Sequence, residues 1–132
     1  MIKAIIIFGI SAVVLFFHQD DKLAASIERG KEVYEDFCVA CHQADGKGLP
    51  GAFPPLAQSD YLLEKREASI RAIKYGQQGE VVVNGVSYNA IMAPLYLADD
   101  EVADVMNYIL NSWDNKGDFV SVEEVQKVEK EE

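Results

Sequence analysis

The chain has 132 residues, 49% of them hydrophobic, a size that fits one compact domain with a modest core. Its 22 acidic and 12 basic residues give a formal charge of −10. That balance argues against nucleic acid as a partner and predicts docking partners that present a basic face.

Met1-Ile2-Lys3 gives a short positive start, followed by an almost purely apolar run from Ala4 to Phe17 that meets His18-Gln19-Asp20-Asp21. The run is short for a membrane span and fits the apolar region of a secretory signal, with Ala24-Ala25 as the nearest small-residue cleavage point. Residues 1–23 are therefore expected to be a signal peptide, or an N-terminal membrane anchor where cleavage fails. His18 reads as a polar residue at the signal boundary, and no cysteine stands near it to take a lipid.

From Ile27 the apolar positions Ile27, Gly30, Val33, Tyr34, Phe37, Cys38 and Cys41 repeat at three and four residues, which predicts an amphipathic helix, with Ser26 as its cap. The helix delivers Cys38-Val39-Ala40-Cys41-His42, the only cysteines in the chain. An ordinary disulfide, a thioredoxin-like pair and half a zinc site are the competing readings. The flanking pattern lacks the βαβ context of a redox pair, and His18 is the only further Cys or His for a zinc ion. A covalent haem accounts for the spacing: two thioethers reach the two vinyl-derived carbons of one porphyrin while His42 presents its imidazole to the iron. Thioether formation in an exported chain places the protein in the periplasm or on the outer face of a bacterial inner membrane.

After His42, glycines and prolines from Gln43 to Pro55 predict a loop around the haem edge, with Leu49, Phe53 and Leu56 able to face the porphyrin. Ser59-Asp60 opens a helical region through Tyr75, as one helix or two, ended by Gly76. Glu80-Val81-Val82-Val83, Asn84-Gly85 and Val86-Ser87-Tyr88 predict a tight β-hairpin. The last clear helix runs from about Asp99 to Trp113, with Val102, Val105, Met106, Ile109, Leu110 and Trp113 on one face and three acids at its positive end. Residues 118–132 form an acidic tail with six acids and two bases. A solvated, flexible end is its first reading and a partner-binding turn its second, with Ser121 and Glu124 as a capping box.

Over roughly Ala24 to Asn115 the chain resembles class I c-type cytochromes, through Gly30, Tyr34 and Cys38-x-x-Cys41-His42 in the first helix and Val105 and Tyr108 in the last. The resemblance implies an all-α fold, a few helices around one covalently bound haem c, here with a small hairpin inserted before the methionine-ligand loop. It also implies that Gly30 permits a close helix crossing and that Met92, in Tyr88-Asn89-Ala90-Ile91-Met92-Ala93-Pro94, is the sixth iron ligand. Many relatives carry proline directly after that methionine, where this chain has Ala93. Met106 is the competitor, but it lies on a helix face where a core methionine is the ordinary outcome. The acceptor for the second nitrogen of His42 is expected to be the carbonyl of Pro54, with adjacent Pro55 as the alternative. Arg71, Tyr61 and Tyr88 are candidate donors to the haem propionates, against a reading in which Arg71 shares a solvated helix face with Lys65, Arg66 and Lys74.

The implied function is one-electron transfer without substrate chemistry at the metal, shuttling between redox proteins such as a terminal oxidase or reductase. The alternatives are a haem-based sensor in which a small ligand displaces Met92, a peroxidase, and an electron-entry subunit of a larger oxidoreductase. The segments around Phe53-Pro54-Pro55-Leu56 and the hairpin resemble cytochromes of respiratory and denitrification chains.

Overall fold

The computed structural model describes residues 2–131, with side chains described from residue 20 to residue 131. The signal or anchor expected over residues 1–23 lies largely outside the described side chains. Among the described residues, no helix is long and apolar enough to cross a membrane. The elements are α1 (Ile2–Phe37), α2 (Val39–His42), α3 (Asp60–Glu64), α4 (Arg66–Tyr75), β1 (Val81–Val83), β2 (Val86–Tyr88), α5 (Asp99–Leu110) and α6 (Val122–Lys127). The architecture is helical with one two-stranded antiparallel hairpin, as the sequence predicts.

The core forms where α1 crosses α5, with α3 and α4 closing it from the side. Tyr34, Leu62, Ile70, Val102, Val105, Met106, Ile109 and Leu110 are all buried there. Gly30 sits at the crossing, and a Cβ at that position would lie 1.9 Å from the backbone oxygen of Asp104. Only hydrogen fits in that space, so the two backbones touch. One turn later, Tyr34 packs against Tyr108 and Trp113 with ring centroids 5.3 Å away in each case, and the latter two rings meet at 5.7 Å. Tilted aromatic contacts of this kind add about 0.5–1.5 kcal/mol each to the area they bury.

Two local expectations change, and a third is settled. Ser26 is not a cap, because helix α1 runs straight through it. Its buried hydroxyl donates to Asp104 Oδ1 at 2.6 Å and accepts from Asn107 Nδ2 at 2.8 Å. Arg29 completes the cluster by donating to both oxygens of Asp104, at 2.6 and 2.8 Å. Trp113 is not on the apolar face of the last helix. Asn111 and Ser112 turn their side chains back onto the carbonyls of Asn107 and Tyr108, and Trp113 then adopts φ 52°. That left-handed residue swings the indole onto Tyr34, and its Nε1–H donates to the carbonyl of Ala44 at 3.0 Å. The region from Ser59 to Tyr75 is two helices broken at Lys65, the first capped by Ser59 Oγ accepting from the Leu62 amide.

The larger correction concerns the acidic tail, which is not a solvated end. Val120, Val125 and Val128 are buried in the main core. The side-chain amide of Asn107 serves Val120 as a neighbouring strand would, accepting from its N–H at 2.7 Å and donating to its carbonyl at 2.9 Å. Arg66 grips the tail by donating to both carboxylate oxygens of Glu124, at 2.6 and 2.8 Å, and to the carbonyls of Asp118 and Phe119. Lys74 donates to the carbonyls of Val125 and Val128. Composition could not reveal this arrangement, because the attachment is made by three valines, the backbone and the pairing of Glu124 with a distant arginine.

The Arg66 hydrogen bonds hold the Glu124 carboxyl below its ordinary range, against an opposing push from burial. A carboxylate lowered in this way adds stability at pH values above its unfolded pKa of about 4.3, and that contribution is lost as pH falls through the folded value. Glu124→Gln should therefore be less stable than the parent at pH 7, by about 0.5–1 kcal/mol given the partial exposure of the pair. Urea unfolding of the two proteins should converge once the pH falls below the folded-state pKa of Glu124.

Candidate functional site

Helix α1 ends at Phe37, and Cys38 makes the turn into α2. The Cys38 amide still donates to the Tyr34 carbonyl at 2.9 Å, while the amides of Cys41 and His42 both return to the Cys38 carbonyl, at 3.2 and 3.0 Å. The motif is thus one tight helical turn. It is ended by Gln43 at φ 64°, whose carbonyl accepts from the Tyr34 hydroxyl at 2.7 Å. This turn brings Cys38, Cys41 and His42 to the lining of one cavity.

The Nδ1 of His42 lies 3.0 Å from the carbonyl oxygen of Pro54. A carbonyl only accepts, so the ring hydrogen is on Nδ1 and the lone pair is on Nε2. Among the described residues no fully buried side-chain nitrogen or oxygen lacks a partner. Nε2 has no hydrogen-bond partner among the described residues, and His42 lines the cavity. Burial also lowers the pKa of His42, with the Pro54 bond opposing. The result is a neutral, oriented imidazole, the form that a metal requires.

Other parts of the chain contribute the rest of the lining. Met92, Tyr88 and Val83 approach from the hairpin and the loop after it, Ile73 from α4, and Val105 and Ile109 from α5; Phe53, Pro54, Pro55, Leu56, Tyr61 and Leu62 also line the cavity. The free space amounts to about 1030 Å³, part of it open to solvent, and no charged side chain lines it. A broad apolar cleft lined by two thiols, an imidazole and a thioether suits a flat macrocycle carrying a central metal. The donor set therefore fits a covalent haem. It fits a thioredoxin-type pair poorly, because such a pair needs a thiol pKa below the ordinary value, whereas burial pushes Cys38 up to about 11.

Pro54, Leu56, Tyr61 and Tyr88 thus join Cys38, Cys41, His42 and Met92 around one space. Arg71 does not. It pairs with Glu67 one turn earlier, with the Glu131 carboxylate at 2.9 Å and with the Glu129 carbonyl at 3.0 Å. The tail that packs on this side occupies the guanidinium. Met106 is fully buried in the helical core and is not among the cavity residues. Sequence reading did not identify Val105 and Ile109 as cavity wall, although their four-residue spacing on α5 carries the signal. Gln77, which also lines the cavity, has no such signature.

Fold and site together define a protein built to hold one c-type haem. The cytochrome c family model matches residues 27–113, and the chain belongs to that family, whose members carry covalently bound haem c and transfer electrons. It is 41% identical over 96 residues to cytochrome c-552 of Thermus thermophilus, covering 69% of this chain and 64% of that protein. It is 33% identical over 127 residues to the gluconate 2-dehydrogenase cytochrome c subunit of Pantoea cypripedii, covering 88% of this chain and 29% of that protein. Against the cytochrome c subunit of the quinone alcohol dehydrogenase of Gluconobacter oxydans the identity is 32% over 104 residues, covering 75% of this chain and 21% of that subunit. The chain thus spans less than two thirds of each of these three relatives.

Tyr34 is 1% exposed, and its hydroxyl is positioned to satisfy the carbonyl that closes the attachment turn. Tyr34→Phe should cost about 1–2 kcal/mol in urea unfolding by orphaning that carbonyl. The optical bands of the covalent haem should stay where they are in the parent.

Proposed function

We propose that this chain is a one-electron carrier in which Cys38 and Cys41 hold the haem, His42 is the proximal ligand and Met92 the distal one. The observation that carries this reading is that these four residues line one uncharged cavity, with Nδ1 of His42 engaged by Pro54. When bound, the haem supplies a reversible ferric–ferrous couple.

The protein's own residues do the rest. Thioethers from Cys38 and Cys41 keep the cofactor in place through every redox cycle. The Pro54 carbonyl fixes the His42 ring and raises its basicity. A thioether from Met92 favours the reduced metal, and the apolar walls disfavour the extra charge of the oxidised one, so both act to raise the potential. With His42 and Met92 both ligating the iron, no coordination site would be open to substrate, which would make a carrier of the protein rather than a sensor or a peroxidase.

Electron exchange takes place at the cavity mouth. Ile91, 71% exposed, lines the cavity there, and Leu49, 49% exposed, is tied to the lining residue Phe53 by paired backbone bonds. An apolar rim on a chain of charge −10 suits short-lived complexes with redox proteins that carry basic faces, steered by charge and released readily. A terminal oxidase or a reductase fits that description. The similarity to cytochrome subunits of dehydrogenases favours a second setting, in which the same site passes electrons as a subunit of a larger oxidoreductase. In either setting the chain acts outside the cytoplasm, with residues 1–23 as export signal or membrane anchor and residues 24–117 as the electron-carrying domain.

Met92→Ala tests the ligand set. The variant should keep its covalent haem, lose the weak near-infrared band of methionine-bound ferric iron and bind carbon monoxide readily when reduced. Its potential should fall by a sizeable fraction of the roughly 0.8 V that axial ligands span. An unchanged band and potential would remove Met92 from the site.

A further inference from the structure

The segment that carries Met92 is unusually bare. Residues 89–97 contain no helix or strand, and Asn89, Ala90, Ile91, Ala93, Pro94 and Tyr96 are all exposed. Among the described residues, the only backbone–backbone hydrogen bonds this stretch makes are the two that join Met92 to Gln77: Gln77 N–H to Met92 O and Met92 N–H to Gln77 O, each 2.9 Å. The pair forms an isolated antiparallel bridge outside the hairpin.

Gln77 is fixed in turn. It follows Gly76, which closes α4 by donating to the Ala72 carbonyl, and α4 is anchored by fully buried Ile70. Gly76 has φ 83° and ψ 174°, a region that residues with a side chain scarcely enter. A Cβ on Gly76 would lie 2.6 Å from the Met92 carbonyl oxygen and 3.0 Å from the ring of Pro94. The Met92 backbone therefore rests directly on the end of α4, and only glycine leaves room for it.

We propose that Gly76 and the main chain of Gln77 act as a brace that positions the Met92 thioether, so that the strength of the methionine–iron bond is set by the end of α4 rather than by the loop itself. The proposal rests on the reading of Met92 as the distal ligand. Gly76 and Gln77 are positioning residues, because they touch the ligand's backbone and not the metal.

The test uses the haem-loaded full chain and two glycine variants. Gly79 is also at positive φ, 85°, but a Cβ there would meet nothing within 4 Å, so Gly79→Ala reports backbone strain without the contact. Gly76→Ala should lose the near-infrared methionine band, or lose it at a urea concentration well below that which melts helical circular dichroism. Reduced Gly76→Ala should also bind carbon monoxide about tenfold faster than the parent, while Gly79→Ala matches the parent in both measurements. If Gly76→Ala keeps the band and the carbon monoxide rate of the parent, the brace is refuted while the ligand assignment stands. A parent protein that lacks the band would overturn the ligand assignment and the brace with it. Should Gly76→Ala not fold, amide hydrogen exchange on the parent decides: the amides of Met92 and Gln77 should be protected well beyond those of Ala90 and Ala93, and equal exchange would refute the brace.

Discussion

The contact between Gly30 and the backbone of Asp104 is the constraint on which the rest of the structure depends. It lets α1 and α5 approach with backbones touching, which no larger residue at position 30 would allow. At that separation Tyr34 and Tyr108 meet, Trp113 closes over them, and the Tyr34 hydroxyl reaches the carbonyl that ends the attachment turn. Cys38 follows Tyr34 by one turn, so the same crossing places the cysteines and His42 at the cavity. On the other helix, Val105 lies next to Asp104 and Ile109 one turn beyond it, and both form cavity wall. Crossing and site share residues so closely that moving the helices apart would open the haem pocket.

A polar cluster holds the crossing in register. Asp104 accepts from Ser26 and Arg29, while Asn107 donates to Ser26 and pairs with both backbone groups of Val120. Buried polar groups of this kind are costly when unpaired and specific when satisfied. Here every member has a partner, and the cluster ties three separate stretches of chain together: α1, α5 and the C-terminal segment. The tail in turn reaches α4 through Arg66, Arg71 and Lys74. Helix α4 carries at its end the residues on which Met92 rests, so the acidic segment is mechanically connected to the distal wall of the cavity.

What could be read from sequence follows the locality of the signal. Cys38, Cys41 and His42 sit within five residues and their spacing is dictated by covalent chemistry. The Asn84-Gly85 turn, at φ 50° and 78°, is equally local. Met92 and Pro54 came from resemblance; the Pro54 carbonyl lies 3.0 Å from Nδ1 of His42, and Met92 lines the same cavity. The tail was misread because charge density suggests solvation while its attachment depends on valines at 120, 125 and 128 and on one distant asparagine. Ser26 was misread because the same hydroxyl that caps a helix can serve as a buried hinge between two. Trp113 fits the periodicity of α5, and only the side-chain bonds of Asn111 and Ser112 to the preceding turn release it. Arg71 points to the tail because the tail packs there, which no local pattern around position 71 encodes.

The central claim is that the Cys38–His42 turn holds a haem covalently, with the rest of the fold arranged around it. Peptide mass analysis of the denatured, protease-digested protein, purified after export from a host competent in haem attachment, tests this most directly. The account predicts that the peptide containing Cys38 and Cys41 carries the mass of one haem and that neither thiol can be alkylated. An unmodified peptide with both cysteines open to alkylation, or joined as a disulfide, would contradict it.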